Sequence, residues 1–357
     1  MSVRPPPNRP PIRMESRLAR AEDLRVQPLL VIPPLLCEFG IDPGIVLERA
    51  GIDPRAFVDP EQRLPFEQVG RLLDECAALT GCPWFGLRLG ERAGAAVFGL
   101  IGELAGQSAT VGAGLRSMIL HFHLHDRGAA PVLHTGPGQD VQLAYVIHAR
   151  GMRGAAQVAD GAIAIGYHLL RGLCGPGWAP IRVTFSHRAP SDAAPYREFF
   201  GSPVHFDRGR SALVFAAKWL QRPIAGADAR RREDLLRRIA EIERAKPALF
   251  TDKVRQVLIE LMVIGKPSIE ATCKLLGVSR RTLYRRLEAE GARPGDLLDE
   301  MNESVAKQLL MESRMPLSDI AAILHYSEAT AFSRVFKGWT GMTPSAYRRQ
   351  FANSPTP

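Results

Sequence analysis

Two short stretches near the C-terminus carry side chains whose spacing could read a nucleic-acid surface. In the first, Val278, Leu283 and Leu287 take one helical face. That leaves Arg281, Tyr284 and Arg285, spaced i, i+3, i+4, on the other. A guanidinium offers two donors to a guanine edge, and a tyrosine can stack on a base or hydrogen-bond a phosphate. In the second stretch Phe332, Val335 and Phe336 point inward, so Ala329, Thr330 and Arg334 point outward. Ala329 and Thr330 are small enough to meet a thymine methyl, Arg334 is a polar reader, and Lys337 suits a phosphate. The chemistry is recognition rather than bond-breaking.

Such readers need elements that hold them rigidly. Ile269, Ala271, Leu275 and Leu276 give helical apolar spacing ahead of the first stretch, and Gly277-Val278-Ser279 forms a tight turn. Ile320, Ala321, Ile323 and Leu324 repeat that face ahead of the second, with His325-Tyr326-Ser327 as its turn. Ser279 and Ser327 each suit the N-cap of the following helix, where a hydroxyl accepts from an unpaired backbone N–H. One Arg-rich helix alone reads as a solvated face. Two copies with matching turns predict a tandem helix-turn-helix. Between them, Leu297, Leu298, Met301, Val305, Leu309 and Leu310 predict a spacer helix over 296–312. Its length, about 25 Å at 1.5 Å per residue, suits two recognition helices one DNA turn apart. Gly341 suits a helix C-terminus, and Thr343-Pro344 an N-cap followed by Pro at the first helical position.

Residues 252–351 resemble the DNA-binding domain of the AraC/XylS family of bacterial transcription regulators. The run Ala331-Phe332-Ser333-Arg334-Val335-Phe336-Lys337 carries most of the likeness. Trp339-Thr340-Gly341, Thr343-Pro344 and Tyr347-Arg348 carry the rest. His325 departs from the family, which usually has Gly in that turn; a non-Gly residue is strained there if φ is positive.

Composition sets wider bounds. The chain has 357 residues, which favours two domains, and 46% are hydrophobic, enough for a packed core. The net charge is +9, yet residues 252–351 hold 15 Lys+Arg against 12 Asp+Glu. Affinity for a polyanion must therefore rest on placement rather than on net charge. The scattered cysteines (Cys37, Cys76, Cys82, Cys174, Cys273) have no metal-type pairing and suit reduced thiols, hence a cytoplasmic protein. No apolar run is long enough to span a membrane, and the N-terminus lacks the apolar core of a signal peptide. Its five prolines between Pro5 and Pro11 read as a disordered arm.

The N-terminal half reads as helices first and strands later. Apolar spacing follows Leu24 and Pro65, runs on through 85–105, and continues after the Ser108-Ala109-Thr110 caps. Strands are expected at 131–134 and 141–147 around a Gly136-Pro137-Gly138 turn, at 181–185, at 204–206 and at 212–215. Helices are expected at 155–173 and 194–200. The fold class is thus an α+β domain, a small antiparallel sheet with helices on one face, followed by an all-α tandem helix-turn-helix domain. Expected boundaries are an arm at 1–24, the α+β domain at 25–224, a helical linker at 225–251, the DNA-binding domain at 252–351 and a tail at 352–357. Residues 28–224 are similar to the arabinose-binding-like sensor of one AraC-type subgroup.

The remaining chemistry is sparse. His121, His123 and His125 would share one face on a strand, as a metal site might need. On the helix end expected here, His121 and His125 share a face and His123 does not. No phosphate loop, zinc-protease motif or nucleophile elbow occurs. The resemblance implies a DNA-binding regulator that is not an enzyme and needs no cofactor or metal. Its implied partners are double-stranded promoter DNA, RNA polymerase, a small organic effector and a second copy bound through the N-terminal domain. Tyr145, His121, His125 and Arg182 are of types that could orient such an effector. The alternative is an enzyme-like or metal-sensing N-terminal domain that the C-terminal domain targets to DNA.

Overall fold

The computed structural model describes residues 22–136, 140–149, 153–245, 247, 249–265 and 267–351. Of the arm expected at 1–24, residues 1–21 lie outside the described residues, as do the tip of the turn at 137–138 and the tail at 352–357, whereas Asp23 and buried Leu24 belong to a strand rather than to the arm. Short strands β1 (Asp23–Arg25) and β2 (Arg63–Pro65) pair antiparallel and enclose α1 (Ile32–Glu38) and α2 (Pro43–Ala50). Local chemistry sets the limits of α2. Asp42 accepts from Gly44 N at 2.9 Å, Pro43 takes the first position, and Gly51 ends the helix at φ 70°. Four amphipathic helices follow: α3 (Phe66–Thr80), α4 (Phe85–Ala93), α5 (Gly99–Gly106) and α6 (Val111–Leu120).

The second part of this domain is a sheet with one long helix on it. Its elements are β3 (Ala129–Thr135), β4 (Asp140–Ile147), α7 (Ala155–Cys174), β5 (Arg182–Thr184), α8 (Ala194–Phe200), β6 (Val204–His205) and β7 (Ser211–Ala216). The strand order is β3-β4-β7-β5-β6. Pairing is antiparallel except between β5 and β6, which run parallel because α8 makes the crossover between them. The expected α+β domain is present, with that one departure from an antiparallel sheet. Helix α7 approaches α4 closely because α4 supplies glycines at the contact. A Cβ on Gly86 would lie 2.0 Å from Gln157 O, and one on Gly90 would lie 2.5 Å from Ala164 Cβ.

Alternate residues of β3 and β4 go to two different cores. Ala129, Val141, Leu143 and Ile147 join the N-terminal core, whereas Ala130, Val132 and Val146 pack with the C-terminal domain. One face of the sheet is therefore covered by α7, and the other by α10 (Phe250–Val263). Helices on one face alone were the sequence expectation, and the second cover comes from the other domain. Helix α9 (Ala229–Ala245), expected as a linker, packs back on the N-terminal domain through buried Leu235 and Ile239. Arg232 donates to Ser117 Oγ at 3.1 Å, and Arg231 pairs with Glu103 at 3.3 Å.

The C-terminal domain is all helical: α10, α11 (Ile269–Leu276), α12 (Arg280–Ala289), α13 (Pro294–Glu312), α14 (Leu317–Ile323), α15 (Ala329–Thr340) and α16 (Pro344–Phe351). Phe332 and Phe336 are fully buried at its centre. The Glu290 carboxylate caps α10, accepting from Phe250 N and Thr251 N, each at 2.8 Å. In α11 the inward face differs from the expected one. Thr272 is buried, with its hydroxyl on Ser268 O at 2.8 Å, while Leu275 is 52% exposed. Gly341 ends α15 at φ 75°, and Thr343 Oγ1 accepts from Ala346 N at 3.3 Å, as the sequence predicts.

His325 stands at φ 63°, in the left-handed region. Its Nε2 lies 2.8 Å from Met262 O, so the imidazole anchors the turn on α10. His325→Gly relieves a backbone cost of about 1–2 kcal/mol. It also loses a hydrogen bond of about 0.5–1.5 kcal/mol and gains unfolded-chain entropy of up to about 1 kcal/mol. The expected outcome in urea melts of the full chain is no net stabilisation. A gain approaching 2 kcal/mol would show that the His325 anchor contributes nothing.

Candidate nucleic-acid interface and sensor cavity

Ser279 caps α12, its Oγ accepting from Thr282 N at 3.1 Å, so the first recognition helix begins where the sequence places it. Leu283 and Leu287 are buried, while Arg281, Tyr284 and Arg285 are exposed on one face. Among the described residues neither Arg281 nor Arg285 has an acidic partner. Arg280 stands outside the outward face read from the sequence spacing. Its guanidinium lies 5.6 Å from the Tyr284 ring centroid and 3.4 Å from Glu270 Oε1, so it props the tyrosine. The i, i+4 spacing of Arg280 and Tyr284 was the available signal.

The second copy starts one residue later than expected. Tyr326 N bonds Ala321 O at 2.9 Å, which carries the turn through Ser327. Glu328, not Ser327, is the N-cap of α15, and its side chain makes no capping bond. Ser327 is exposed beside it. Glu328 Oε2 instead accepts from Thr330 Oγ1 at 3.0 Å, at the helix end expected to meet base edges. A carboxylate there can accept from cytosine N4, so Glu328 joins the candidate readers. Ala329 is half-buried, and Thr330, Arg334 and Lys337 are exposed. The spacer α13, at 19 residues, spans about 28 Å.

The N-terminal domain meets this unit through α10, through α13 from Ser304 to Glu312 and through α14, and it leaves the polar faces of α12 and α15 exposed. The two domains cap one another's helices. Glu312 Oε1, at the end of α13, accepts from Ala156 N at the start of α7, at 3.3 Å. Arg188 returns the contact: its backbone N donates to Glu312 O at 2.8 Å and its Nη2 to Met311 O at 3.1 Å. Behind them, His187 holds Asp160 Oδ1 with Nε2 and Arg188 O with Nδ1, both at 2.9 Å, and Tyr196 donates to Asp160 Oδ2 at 2.6 Å. Both imidazole nitrogens face acceptors, which suits the charged ring. Burial alone would push the His187 pKa down, but the charge and hydrogen bond of Asp160, with the Arg188 carbonyl, outweigh it and raise it to about 9. Burial raises Glu312 to about 7, against the opposing pull of His187.

A cavity of about 80 Å³ lies between α7 and the inner face of the sheet. Val158, Ala162 and Leu169 of α7, Leu143 of β4 and Leu213 of β7 line it, with Phe98 and Phe122 at one end. Two polar residues reach it, His125 and Tyr145. Tyr145 donates to Asp126, whose other oxygen accepts from Gly128 N at 2.8 Å. The histidine run does not gather as expected: His121 and His123 both face Glu243 of α9, at 2.9 and 3.3 Å, while His125 turns away into the cavity. A short 3-10 turn at Phe122–Leu124 replaces the expected helical spacing. Among the described residues no cluster of His, Cys, Asp or Glu could hold a metal ion. Arg182 pairs with Asp140 at 3.3 Å, away from the cavity.

The arabinose-binding N-terminal domain of AraC transcription regulators matches residues 40–224, and a helix-turn-helix domain matches residues 272–350. The chain belongs to the AraC family of transcription regulators. The HTH-type transcriptional regulator VirS of Mycobacterium tuberculosis is 30% identical over 315 residues, covering 88% of this chain and 93% of VirS. The ornithine utilization regulator of Pseudomonas aeruginosa is 27% identical over 333 residues, with the same coverage of 88% and 93%. The crystal structure of the transcriptional regulator CdpR from P. aeruginosa aligns with a TM-score of 0.42 at 22% identity, covering 86% of this chain and 96% of CdpR. This AraC-family chain is a DNA-binding transcription regulator with a ligand-sensing N-terminal domain. Among the described residues no helix is long and apolar enough to cross a membrane.

The seam between the domains predicts a pH dependence. Glu312 and His187 both bind a proton more tightly when folded, so each contributes stability that is lost as pH rises. For Glu312 the window runs from its ordinary 4.5 to about 7, and for His187 from 6.5 to about 9. Asp74 and Asp126, raised by burial to about 6 and about 7, titrate in the same window and run in the same direction. The difference between Glu312→Gln and the parent therefore isolates the seam. Buried His125 and His148, held down to about 3, run the opposite way up to 6.5, so thermal melts read a difference. The stability of Glu312→Gln relative to the parent should rise from pH 5 to 7, and parallel profiles would remove Glu312 from the account.

Proposed function

We propose that α12 and α15 read two adjacent major-groove segments of a promoter, with Arg281, Tyr284, Arg285, Glu328, Thr330 and Arg334 at base edges. Ser279, Ser327 and Lys337 position the chain on the backbone. One observation carries this reading: both second helices bury their apolar residues and leave their polar ones exposed, on surfaces the sensor does not cover. An effector in the α7 cavity alters promoter occupancy, because the helix that walls the cavity is capped by Glu312 of the DNA-binding domain. An effector can do this only through different affinity for two arrangements of the seam. The family resemblance further supports a cytoplasmic protein that turns over no substrate, contacts RNA polymerase and associates with a second copy through its sensor. Sedimentation of the full chain checks the last point.

Arg285→Ala and Arg334→Ala should each weaken specific binding by about 1–3 kcal/mol, with relaxed base preference in different halves of the site. Lys337→Ala should weaken all sequences alike and reduce the salt slope by about 0.9. Fluorescence anisotropy on genomic and scrambled duplexes at several salt concentrations checks both. An unchanged base preference in Arg334→Ala would overturn the assignment in the second copy.

A further inference from the structure

We infer that the cavity between α7 and the sheet takes a small, uncharged, mainly apolar molecule with one hydroxyl-type group directed at His125. The inference rests on the reading of that cavity as the sensing site. Its first support is an unsatisfied group. His125 is 4% exposed, lines the cavity, and its Nδ1 is buried with no hydrogen-bond partner among the described residues. An unpaired buried polar atom loses its bonds to water without replacement, so a ligand hydroxyl at this imidazole supplies a bond that the protein does not.

The lining of the cavity disfavours a charged ligand. No Lys, Arg, Asp or Glu lines the cavity, so neither a carboxylate nor an ammonium group would find a counter-ion inside it. His125 cannot supply the positive charge. Burial, with Arg25 and Arg63 nearby, pushes its pKa down to about 3, so the imidazole stays neutral. A neutral ring presents Nδ1 as donor in one tautomer and acceptor in the other, and a hydroxyl can meet either. The Phe98 and Phe122 rings, with centroids 5.1 and 5.4 Å from that of His125, hold the imidazole in place.

Size follows from the volume. With about 80 Å³ available and roughly 10–15 Å³ for each water-sized group, the site takes roughly five to eight heavy atoms. The room exists because α7 places Gly161, Ala162 and Gly166 on this face. A Cβ on Gly166 would sit 3.6 Å from Leu213 Cδ1, at ordinary contact distance, so one methyl can be added without a clash.

The test titrates the full chain with 1-hexanol, hexanoate and hexylammonium by calorimetry, and measures operator affinity with each. Saturable binding of 1-hexanol, at least tenfold tighter than either ion, is expected. Ala162→Leu should abolish it and His125→Phe should weaken it at least fivefold while the protein still melts cooperatively. Should Ala162→Leu fail to fold, Gly166→Ala should weaken 1-hexanol by a smaller factor. Hexanoate or hexylammonium binding as tightly as the alcohol, or alcohol binding indifferent to the α7 variants, would overturn the inference. Alcohol binding that obeys these rules but leaves operator affinity unchanged would support the ligand class and overturn the sensing reading.

Discussion

The structure depends on a sheet that is buried on both faces by different domains. Period-two alternation in β3 and β4 sends Leu143 and Ile147 toward α7, and Val132 and Val146 toward α10. A register slip of one residue would exchange the two sets, so the pairing of Ala129 with Ile147 and of Val132 with Ala144 is fixed from both sides. Interiors packed to this density move between discrete arrangements rather than deforming smoothly. A molecule held against the inner face therefore acts on a wall that the DNA-binding domain shares.

Helix ends supply the second link. Four N–H groups at the start of α7 and four carbonyls at the end of α13 lack partners within their own helices. Glu312 accepts from one N–H of the first set and Arg188 donates to two carbonyls of the second, so each domain helps to cap a helix of the other. Separation would return these groups to water, and it would leave the His187 charge paired with Asp160 but without the nearby Glu312 carboxylate. The seam is thus polar where it is specific and apolar where it is large.

Sequence made the DNA-binding domain legible because each of its signals is local. Ser279 caps the helix that follows it, Gly341 ends one, and the apolar positions of α12 and α15 keep their period. Two misreadings arise from local bonds that override the apolar and capping pattern, and the others depend on partners far away in the chain. Ser327 lost its cap because Tyr326 extended the turn onto Ala321. Leu275 is exposed because Thr272 bonds back to Ser268 and takes the inward position. The linker helix α9 looked solvated because its partners, Glu103, Ser117 and His121, lie more than a hundred residues upstream. The cavity could not be read at all, because its polar atoms and its walls meet only through tertiary packing. Of the four residues named as types that could orient an effector, His125 and Tyr145 line the cavity, whereas His121 pairs with Glu243 and Arg182 with Asp140.

One carbonyl joins the sensor to the second recognition helix. Met262 O, near the end of α10, accepts from His325 Nε2 at 2.8 Å and from Arg210 Nη2 at 3.3 Å. A carbonyl oxygen has two lone pairs, so it can hold both donors. Arg210 adjoins β7 of the sensor sheet, and His325 shapes the left-handed turn that sets the direction of α15. A displacement of α10 against the sheet must stretch one of these two bonds. If it stretches the Arg210 bond, the turn follows α10 and the second reader moves relative to the sensor. If it stretches the His325 bond, a turn already at φ 63° loses the contact that holds it there. In the first case the helix-turn-helix unit shifts relative to the sheet, and in the second the direction of α15 changes relative to α12.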